Sequence, residues 1–578
     1  MIFYDFEVFQ EDWLVVCKDS KQNMERTVIV NNPESLRSYY ESNKSDVWIG
    51  YNSNHYDQYI LKGILCGFNP KDINDFIIVE KRAGWQFSNE FNNYPLISYD
   101  AMHKMQSLKV MESYLGESIE ESDVDFTIQR KLTTEEIQET IEYCTADVDN
   151  LIRVFEIDIE EFKAHIGLVQ ISKTPIINLS KTKAQLVSTI LQARMLSPKE
   201  WGEEWKYEYV QAVKDYNYQH KEVVEFYDKL RELQDPKAKL EIDLYGVPCV
   251  FALGGLHGAK PNVVERIDIA TEMLVHADIG SMYPTININW GLLSRAVPSI
   301  KIYSDIRDLR LKYKHEKNPL QAPLKIALNS AYGVSGAGKR LEDGTYKVQS
   351  PMYDPKRMRE VCINGQLLIL QLMEQLQEFD LQQANTDGLI YKLKKQEFEK
   401  FDHIIKEWEK ISRLTMEYDF ITELYQRDVN NYIAVFDNGE IERKGGAVKK
   451  SSPLDYDLPI VADAVVKYFL YGIEPRETIE NEKRLMPFMK TYKVSSKYKY
   501  AVHNGKPVKN KVNRVFASKR KTDTPLYKVK TDKPELFASC PRCYIDNGDI
   551  KNKKVPPYLN KEYYIEQAEK RIMSFLGV

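Results

Sequence analysis

Two sets of carboxylates, carried by short motifs in a fixed order, constrain this chain more than any other feature of it. Asp5-Phe6-Glu7, Asn52-Ser53-Asn54-His55-Tyr56-Asp57 and Tyr143-x-x-x-Asp147 fall within the first 150 residues. Asp278-Ile279-Gly280-Ser281-Met282-Tyr283-Pro284, Lys325-x-x-x-Asn329-Ser330-Ala331-Tyr332-Gly333 and Asn385-Thr386-Asp387-Gly388 follow between residues 278 and 388. A carboxylate that leaves water is costly unless it meets a metal ion or a charged partner. Each set therefore asks for folded elements that bring its members to one point, and the distance between the sets asks for two such units on one chain.

The local patterns supply those elements. Residues 1–100 read as short strands separated by turns: IFYDFEVF, WLVVCKD, TVIVNN and DVWIGYN. Thr133-Thr134-Glu135-Glu136 forms a capping box that opens a helix, with Ile137, Ile141, Cys144, Val148 and Leu151 at helical spacing. Tyr143 and Asp147 are four apart and share one face of it. The expectation is an α/β unit ending near residue 170. Residues 171–245 read as mixed helix and loop, with no chemistry assigned. Leu274-Val275-His276-Ala277 reads as a strand delivering Asp278 at its end. Asn318-Pro319 and Pro323 break the chain before a helix that starts near Leu324, carries Lys325, Asn329 and Tyr332 on one face, and ends at Gly333. LQQA and LIYKL flank Asn385-Thr386-Asp387-Gly388 as a strand–turn–strand hairpin whose turn presents Asp387.

The residue types fit phosphate chemistry. Asp5, Glu7, Asp57 and Asp147 offer the oxygen ligands that hard divalent ions prefer, and two ions side by side can hold both the attacking water and the leaving oxygen. Tyr143 is placed to orient that water. Asp278 and Asp387 form a second metal-binding pair, suited to joining rather than cutting. Lys325 brings positive charge for a triphosphate, and Tyr283 can pack beneath an incoming sugar and reject a 2′-hydroxyl.

At 578 residues the chain exceeds a single core, and about three to five domains are expected. The net charge of −5 does not itself suggest nucleic acid, but its distribution does. From Lys497 to Lys530 stand Lys497, Lys499, Lys506, Lys509, Lys511, Arg514, Lys519, Arg520, Lys521, Lys528 and Lys530, with Asp523 as the one acid and Tyr498, Tyr500, Phe516 and Tyr527 interleaved. Such a strip can neutralise phosphates and stack on bases; the plainer alternative is a solvated, flexible loop. A second basic cluster, Lys301, Arg307, Arg310, Lys312, Lys314 and Lys317, precedes the Lys325 helix. No apolar run approaches the roughly 20 residues of a membrane span, and MIFYDFEVF lacks the form of a secretory signal. Scattered cysteines suggest a reducing cytoplasm. Cys540 and Cys543 are half a zinc site with no second pair, and a plain turn is expected there.

In their order and spacing these motifs resemble the family B DNA polymerases with an N-terminal 3′–5′ exonuclease, most closely the compact ones of bacteriophages. Asp5/Glu7, Asn52/Tyr56/Asp57 and Tyr143/Asp147 match the three exonuclease motifs. DIGSMYP matches the family's DxxSLYP with Met282 for leucine, and KIALNSAYG matches Kx₃NSxYG throughout. The likeness spans roughly residues 1–450, and LNKEYYIEQAEKRI resembles a thumb tail. It implies an α/β and α+β multidomain protein: a ribonuclease H-like exonuclease (1–170), a connecting region (171–245), palm (246–300 and 346–450), fingers (301–345), and thumb with the C-terminal region (451–578).

The resemblance also implies the roles. Asp278, Asp387, Asp5, Glu7, Asp57, Asp147 and Tyr143 are catalytic. Lys325, Asn329, Tyr283, Ser281, Ile279 and Arg310 bind the dNTP. The Ile279 carbonyl joins the carboxylates as a metal ligand. Asn52, Tyr56, Tyr332, Gly333, Gly254, Gly255, Thr386, Tyr432, Lys444, Lys497 and Lys499 contact DNA. Implied cofactors are two Mg²⁺ per site, with Mn²⁺ able to substitute. Implied partners are primer-template and single-stranded DNA, dNTPs, and a phage helicase, primase or single-strand-binding protein, around a monomer in the host cytoplasm. Three positions depart from the family. Asn385 replaces the first aspartate of DTD; Asn430-Asn431-Tyr432 replaces KxY, with Lys444 as a substitute charge; and Leu253-Gly254-Gly255 lacks the tyrosine of YxGG. Asp278 and Lys325 are only 47 residues apart, which leaves no room for the insertion of protein-primed members, so an ordinary nucleic-acid primer is expected. The competing readings are an exonuclease whose polymerase half is inert, and a non-catalytic nucleic-acid-binding protein.

Overall fold

The computed structural model describes every residue except 202–203, 341–345, 349, 532 and 539, and describes 339, 340 and 346 by backbone alone. The last five residues of the expected fingers range thus lie outside the described residues. The chain is a mixed α/β multidomain structure with several separate sheets.

The first sheet has the order β3-β2-β1-β4-β5, with β1 Ile2–Val8, β2 Trp13–Asp19, β3 Glu25–Val30, β4 Trp48–Gly50 and β5 Ser98–Asp100. β1, β2 and β3 pair antiparallel, whereas β4 and β5 run parallel to β1. Side chains alternate across a strand, and β1 uses this fully. Ile2, Tyr4, Phe6 and Val8 pack with Ile60, Leu61 and Ile64 of helix Asp57–Cys66. Phe3 faces the other way, onto Cys144, Val148, Leu151 and Phe155 of helix Thr134–Ile157. Asp5 and Glu7 share the parity of Phe3 and so look toward that second helix. Its start follows the expected capping box: Thr133 Oγ1 accepts the Glu136 N–H, and Glu136 accepts the Thr133 N–H at 2.8 Å.

The large sheet runs β17-β16-β15-β10-β14-β13-β8-β7-β6, with β9 also paired to β15. Its strands are β6 Lys239–Leu244, β7 Val247–Ala252, β8 Gly255–Ala259, β9 Val263–Arg266, β10 Glu272–Ile279, β13 Asp380–Ala384, β14 Gly388–Lys394, β15 Met416–Asp428, β16 Asn431–Phe436 and β17 Ile441–Lys444. A small hairpin, β11 Gly338–Arg340 with β12 Tyr346–Val348, stands apart from it. Helices Lys221–Leu233, Pro355–Gln375 and Phe398–Ser412 cover one face, where Val275, Ala277 and Ile279 of β10 join Leu389, Tyr391 and Leu393 of β14 in the core. By alternation His276 and Asp278 project to the opposite, less covered face.

Helix Gln321–Ser335 presses Leu324, Ala327, Leu328, Ala331 and Val334 into the core shared with helices Ile159–Ile171 and Lys183–Ile190. The contact is close: a Cβ at Gly167 would lie 2.6 Å from Pro323. The helix starts three residues before the expected Leu324 and does not stop at Gly333. Burial of Val334 and the bond from Ser335 Oγ to the Tyr332 carbonyl (2.6 Å) carry it on to Ser335.

The C-terminal region packs helices Pro459–Tyr471, Pro475–Asn481 and Lys561–Leu576 with two small sheets. One sheet joins Lys490–Lys493, Val512–Ala517 and Cys543–Ile545; the other joins Lys506–Val508, Tyr500–His503, Tyr527–Val529 and Pro534–Leu536. The basic strip is therefore part strand and part turn: Lys506, Arg514 and Lys528 lie in strands, and its other basic residues lie in the connections. Cys540 and Cys543 are buried, their thiols donating to the carbonyls of Arg542 and Thr524. Among the described residues no helix is long and apolar enough to cross a membrane.

Candidate active sites

Four carboxylates converge beside β1. Asp57 is the first residue of its helix, and its Oδ1 accepts the Phe6 N–H at 3.2 Å, which ties it to the strand carrying Asp5 and Glu7. The preceding loop is held by Asp100 at the end of β5, whose carboxylate accepts the N–H groups of Asn52 (2.8 Å), Asn54 (3.2 Å) and Met102 (3.1 Å). Asn52 adopts φ +62°, a conformation that asparagine tolerates better than most residues. Tyr56 donates its hydroxyl to Asn74 Oδ1 at 2.8 Å. Asp147 approaches from the long helix with Tyr143 one turn before it.

Sequence reasoning missed the cation of this site. Lys109, in helix Leu108–Leu115, donates to Asp147 Oδ1 at 2.5 Å, lies 3.2 Å from the buried Glu112, and sits 4.5 Å from the centre of the Tyr143 ring. Nothing in its local sequence marks it. One lysine does not balance these acids. Burial, then the charges of Asp57, Glu7 and Asp147, push Asp5 well above the usual carboxylate range. Burial, Asp147 and Asp57 do the same to Glu7, with Lys109 opposing. Burial above all pushes Asp57 up to about 7 and Glu112 up to about 8. Clustered, poorly solvated carboxylates of this kind fit divalent cations with a preference for oxygen. Cys144 also stands here, with its Sγ 3.4 Å from the Asp5 carbonyl. Burial holds that thiol well above its ordinary value, so it stays a neutral donor and a poor ligand.

The second set gathers at the open face of the large sheet. β10 pairs Asp278 with Gly388 of β14 on one side and with Glu417 of β15 on the other. The Ile279 N–H donates to the Asp387 carbonyl at 2.8 Å, which ties the two motifs backbone to backbone. Gly388 leaves room here: a Cβ there would stand 2.9 Å from His276 Nε2 and 3.0 Å from Asp278 Oδ1 and press on both side chains. Burial, then Asp387, Glu417 and Asp419, push Asp278 up to about 7. Glu417 and Asp419 are further acids that the sequence did not single out. Asp387 itself is exposed.

Beside these carboxylates the rings of Tyr283 and Tyr332 stack at 4.1 Å and 16°, which joins the DIGSMYP segment to helix Gln321–Ser335. Ser281 holds φ +53° at the start of helix Met282–Asn289. Lys325, Asn329 and Gly333, four apart, line the exposed side of their helix, while Arg310 lies half-buried on the neighbouring helix Ile300–His315. Tyr432 pairs across the strands with Lys444, whose Nζ lies 5.6 Å from the ring centre. Gly445, at φ +85°, passes so close to Asn430 that a Cβ would overlap its carbonyl oxygen. The exposed Gly254 and buried Gly255 meet the Asn385 turn, where Thr386 Oγ1 would lie 2.5 Å from a Cβ on Gly255.

The basic strip divides into two groups. Lys497 and Lys499 are exposed. Arg514 is wholly buried and donates Nη2 to the carbonyls of Asn547 (3.0 Å), Gly548 (2.9 Å) and Glu117, so the phosphate-neutralising role expected of the strip does not extend to it. Lys509 pairs with Asp123. Ile119 N–H donates to the Asn547 carbonyl and Ile550 N–H to the Gly116 carbonyl, both at 2.8 Å. The Glu117 carboxylate meets Arg153 and Lys551. The segment 113–123 thus clasps the C-terminal sheets to the first domain, and a cleft of about 250 Å³ lined by Lys109, Glu112, Glu117, Arg153 and Lys551 opens there.

No family model matches the sequence, and no curated protein matches it. Among solved structures, the chain is similar to the family B DNA polymerase from the hyperthermophilic archaeon Pyrobaculum calidifontis, over 100% of this chain and 78% of that one, with 14% identity and a TM-score of 0.43.

Proposed function

We propose that the chain is a DNA-dependent DNA polymerase that extends a primer with dNTPs and removes mispaired ends with a 3′–5′ exonuclease. The observation that carries this reading is the meeting of Asp278 and Asp387 at one backbone hydrogen bond of 2.8 Å, beside the stacked Tyr283 and Tyr332. The second carboxylate set, Asp5, Glu7, Asp57 and Asp147, supports the nuclease half. Residues 1–170 are assigned to a ribonuclease H-like exonuclease, 246–300 and 346–450 to the palm, 301–345 to the fingers and 451–578 to the thumb region, with 171–245 connecting them. The motifs point to the compact bacteriophage type and to an ordinary nucleic-acid primer.

Bound at either carboxylate set, Mg²⁺ pairs would activate the attacking oxygen and neutralise the leaving one. The chain's own groups do the positioning. Asp278, the Ile279 carbonyl and Asp387 would hold the ions. Lys325, Asn329 and Arg310 draw in the triphosphate, and Tyr283 limits room at the sugar. In the nuclease half, Tyr143 orients the water, and Lys109 holds Asp147 in place between substrates. Tyr432 with Lys444, the Gly254-Gly255 turn and the exposed Lys497 and Lys499 contact the DNA backbone.

A 5′-labelled primer on a longer template, incubated with Mg²⁺ with and without dNTPs, tests both halves at once. Extension with dNTPs and 3′ shortening without them is expected. Shortening in both lanes would overturn the polymerase half; no change in either would overturn the whole reading.

A further inference from the structure

The segment Leu253–His257 is fastened to helix Pro355–Gln375 and to the Asn385 turn at three points. The Leu253 carbonyl accepts the Cys362 thiol at 2.8 Å, and the Gln366 side-chain amide, 3.2 Å from that sulfur, donates to the Ala252 carbonyl at 2.9 Å. Gly255, at φ +143°, packs against Thr386 more closely than any side chain would allow. His257 Nδ1 lies 2.9 Å from Asn385 Oδ1.

The donor of that last contact follows from its surroundings. Asn385 Oδ1 also accepts the Thr386 N–H at 2.9 Å. A backbone N–H only donates, so the atom facing it is the amide oxygen, and an amide oxygen only accepts. His257 must therefore carry its proton on Nδ1. The two donors use both lone pairs of Asn385 Oδ1, and the remaining Nδ2 is itself a donor. No lone pair of the Asn385 side chain is left for a cation.

On the polymerase reading above, we propose that His257 is a positioning residue for nucleotide addition, which holds Asn385 as a hydrogen-bond acceptor that braces the Asp387 turn and takes no part in binding the ions. Asn385 thereby fills a family aspartate position with a different task. The brace also links the Gly254-Gly255 turn to Asp387, so DNA contacts at the one set the placement of the other.

The test uses the full chain in single-nucleotide addition with dNTP and Mg²⁺ titrations, and excision of single-stranded DNA as the control for folding. His257→Ala and Asn385→Ala should each lower kcat about tenfold with KM for dNTP within about twofold. The double variant should be no slower than the slower single one, because one bond is lost in all three. His257→Gln, which keeps a donor, should recover most of the rate, and Asn385→Asp, which keeps both acceptors, should leave the Mg²⁺ half-saturation within about twofold. Additive losses would overturn the proposal. So would an Asn385→Asp chain that is faster and saturates at several-fold lower Mg²⁺, since that position would then be wanting a ligand. If the alanine variants misfold and lose excision, His257→Gln and Asn385→Asp decide it by the same criteria. Failure of the unaltered chain to add any nucleotide would instead overturn the polymerase reading itself.

Discussion

Asp57 and Asp278 face the same electrostatic difficulty in two different domains: burial pushes each carboxyl up to about 7 from an unfolded value near 4. A raised folded pKa means that the native state binds more protons than the unfolded one between those limits. Stability of the metal-free protein should accordingly fall as pH rises from about 4 through about 7, and Glu112, raised to about 8, carries the fall further. Thermal melting with chelator across this range checks the sign. Asp57→Asn should raise the midpoint at pH 8 by a few degrees, and added Mg²⁺ should narrow the gap by supplying the missing positive charge. Activity should separate cleanly as well. Alanine at Asp278 or Asp387 should cut nucleotide addition by roughly a thousandfold or more and spare excision, and alanine at Asp5 or Asp57 should do the reverse; gel assays of both reactions on each variant measure this. These four acids were legible because each sits in a short motif. Lys109, Asp100, Glu417 and His257 were not, because tertiary contacts alone bring them to the sites. Lys109 is 38 residues from the Asp147 it binds, and His257 is 128 from Asn385.

At the scale of elements, period and capping carried most of the reading. The Thr133 capping box marked where its helix begins, and in the structure the alternation of β1 turns Asp5 and Glu7, with Phe3, toward that helix. Gly333 misled because glycine stops a helix only where packing does not continue beyond it, and here Val334 is buried. The Lys497–Lys530 strip shows the same limit, since composition counts charges without telling which are inside. Two kinds of variant should therefore part company. Lys497→Ala and Lys499→Ala should weaken DNA binding across sequences, each lowering the salt slope of log affinity by about 1, as fluorescence anisotropy in a KCl series would record. Arg514→Met should leave that slope unchanged and destabilise the fold by about 3 kcal/mol, because three carbonyls lose their donor; chemical denaturation reads that loss. On helix Gln321–Ser335, Lys325→Ala should raise KM for dNTP about tenfold with excision intact, which steady-state kinetics would show.

At the scale of the whole molecule, the first domain and the C-terminal sheets are not simply neighbours. Gly116, Glu117, Ile119 and Asp123 exchange main-chain bonds and ion pairs with Lys509, Arg514, Asn547, Ile550 and Lys551, nearly four hundred or more residues later. Glu117→Ala should loosen this clasp, with faster amide hydrogen exchange in residues 116–123 and 545–551 and little change in β1. Lys109 and Glu112 line the cleft beside the clasp, so the carboxylates beside β1 feel its state through Lys109. The division into cutting and joining halves that the motifs suggest along the sequence is thus not a division of the folded object. Scissors applied near residue 170 would leave Ile119 N–H and the Gly116 and Glu117 carbonyls without partners, and would take Asp549 and Lys551 from the cleft that Lys109 lines. A designer who wished to graft either half onto another protein, or a lineage that tried to lose one, would have to carry both.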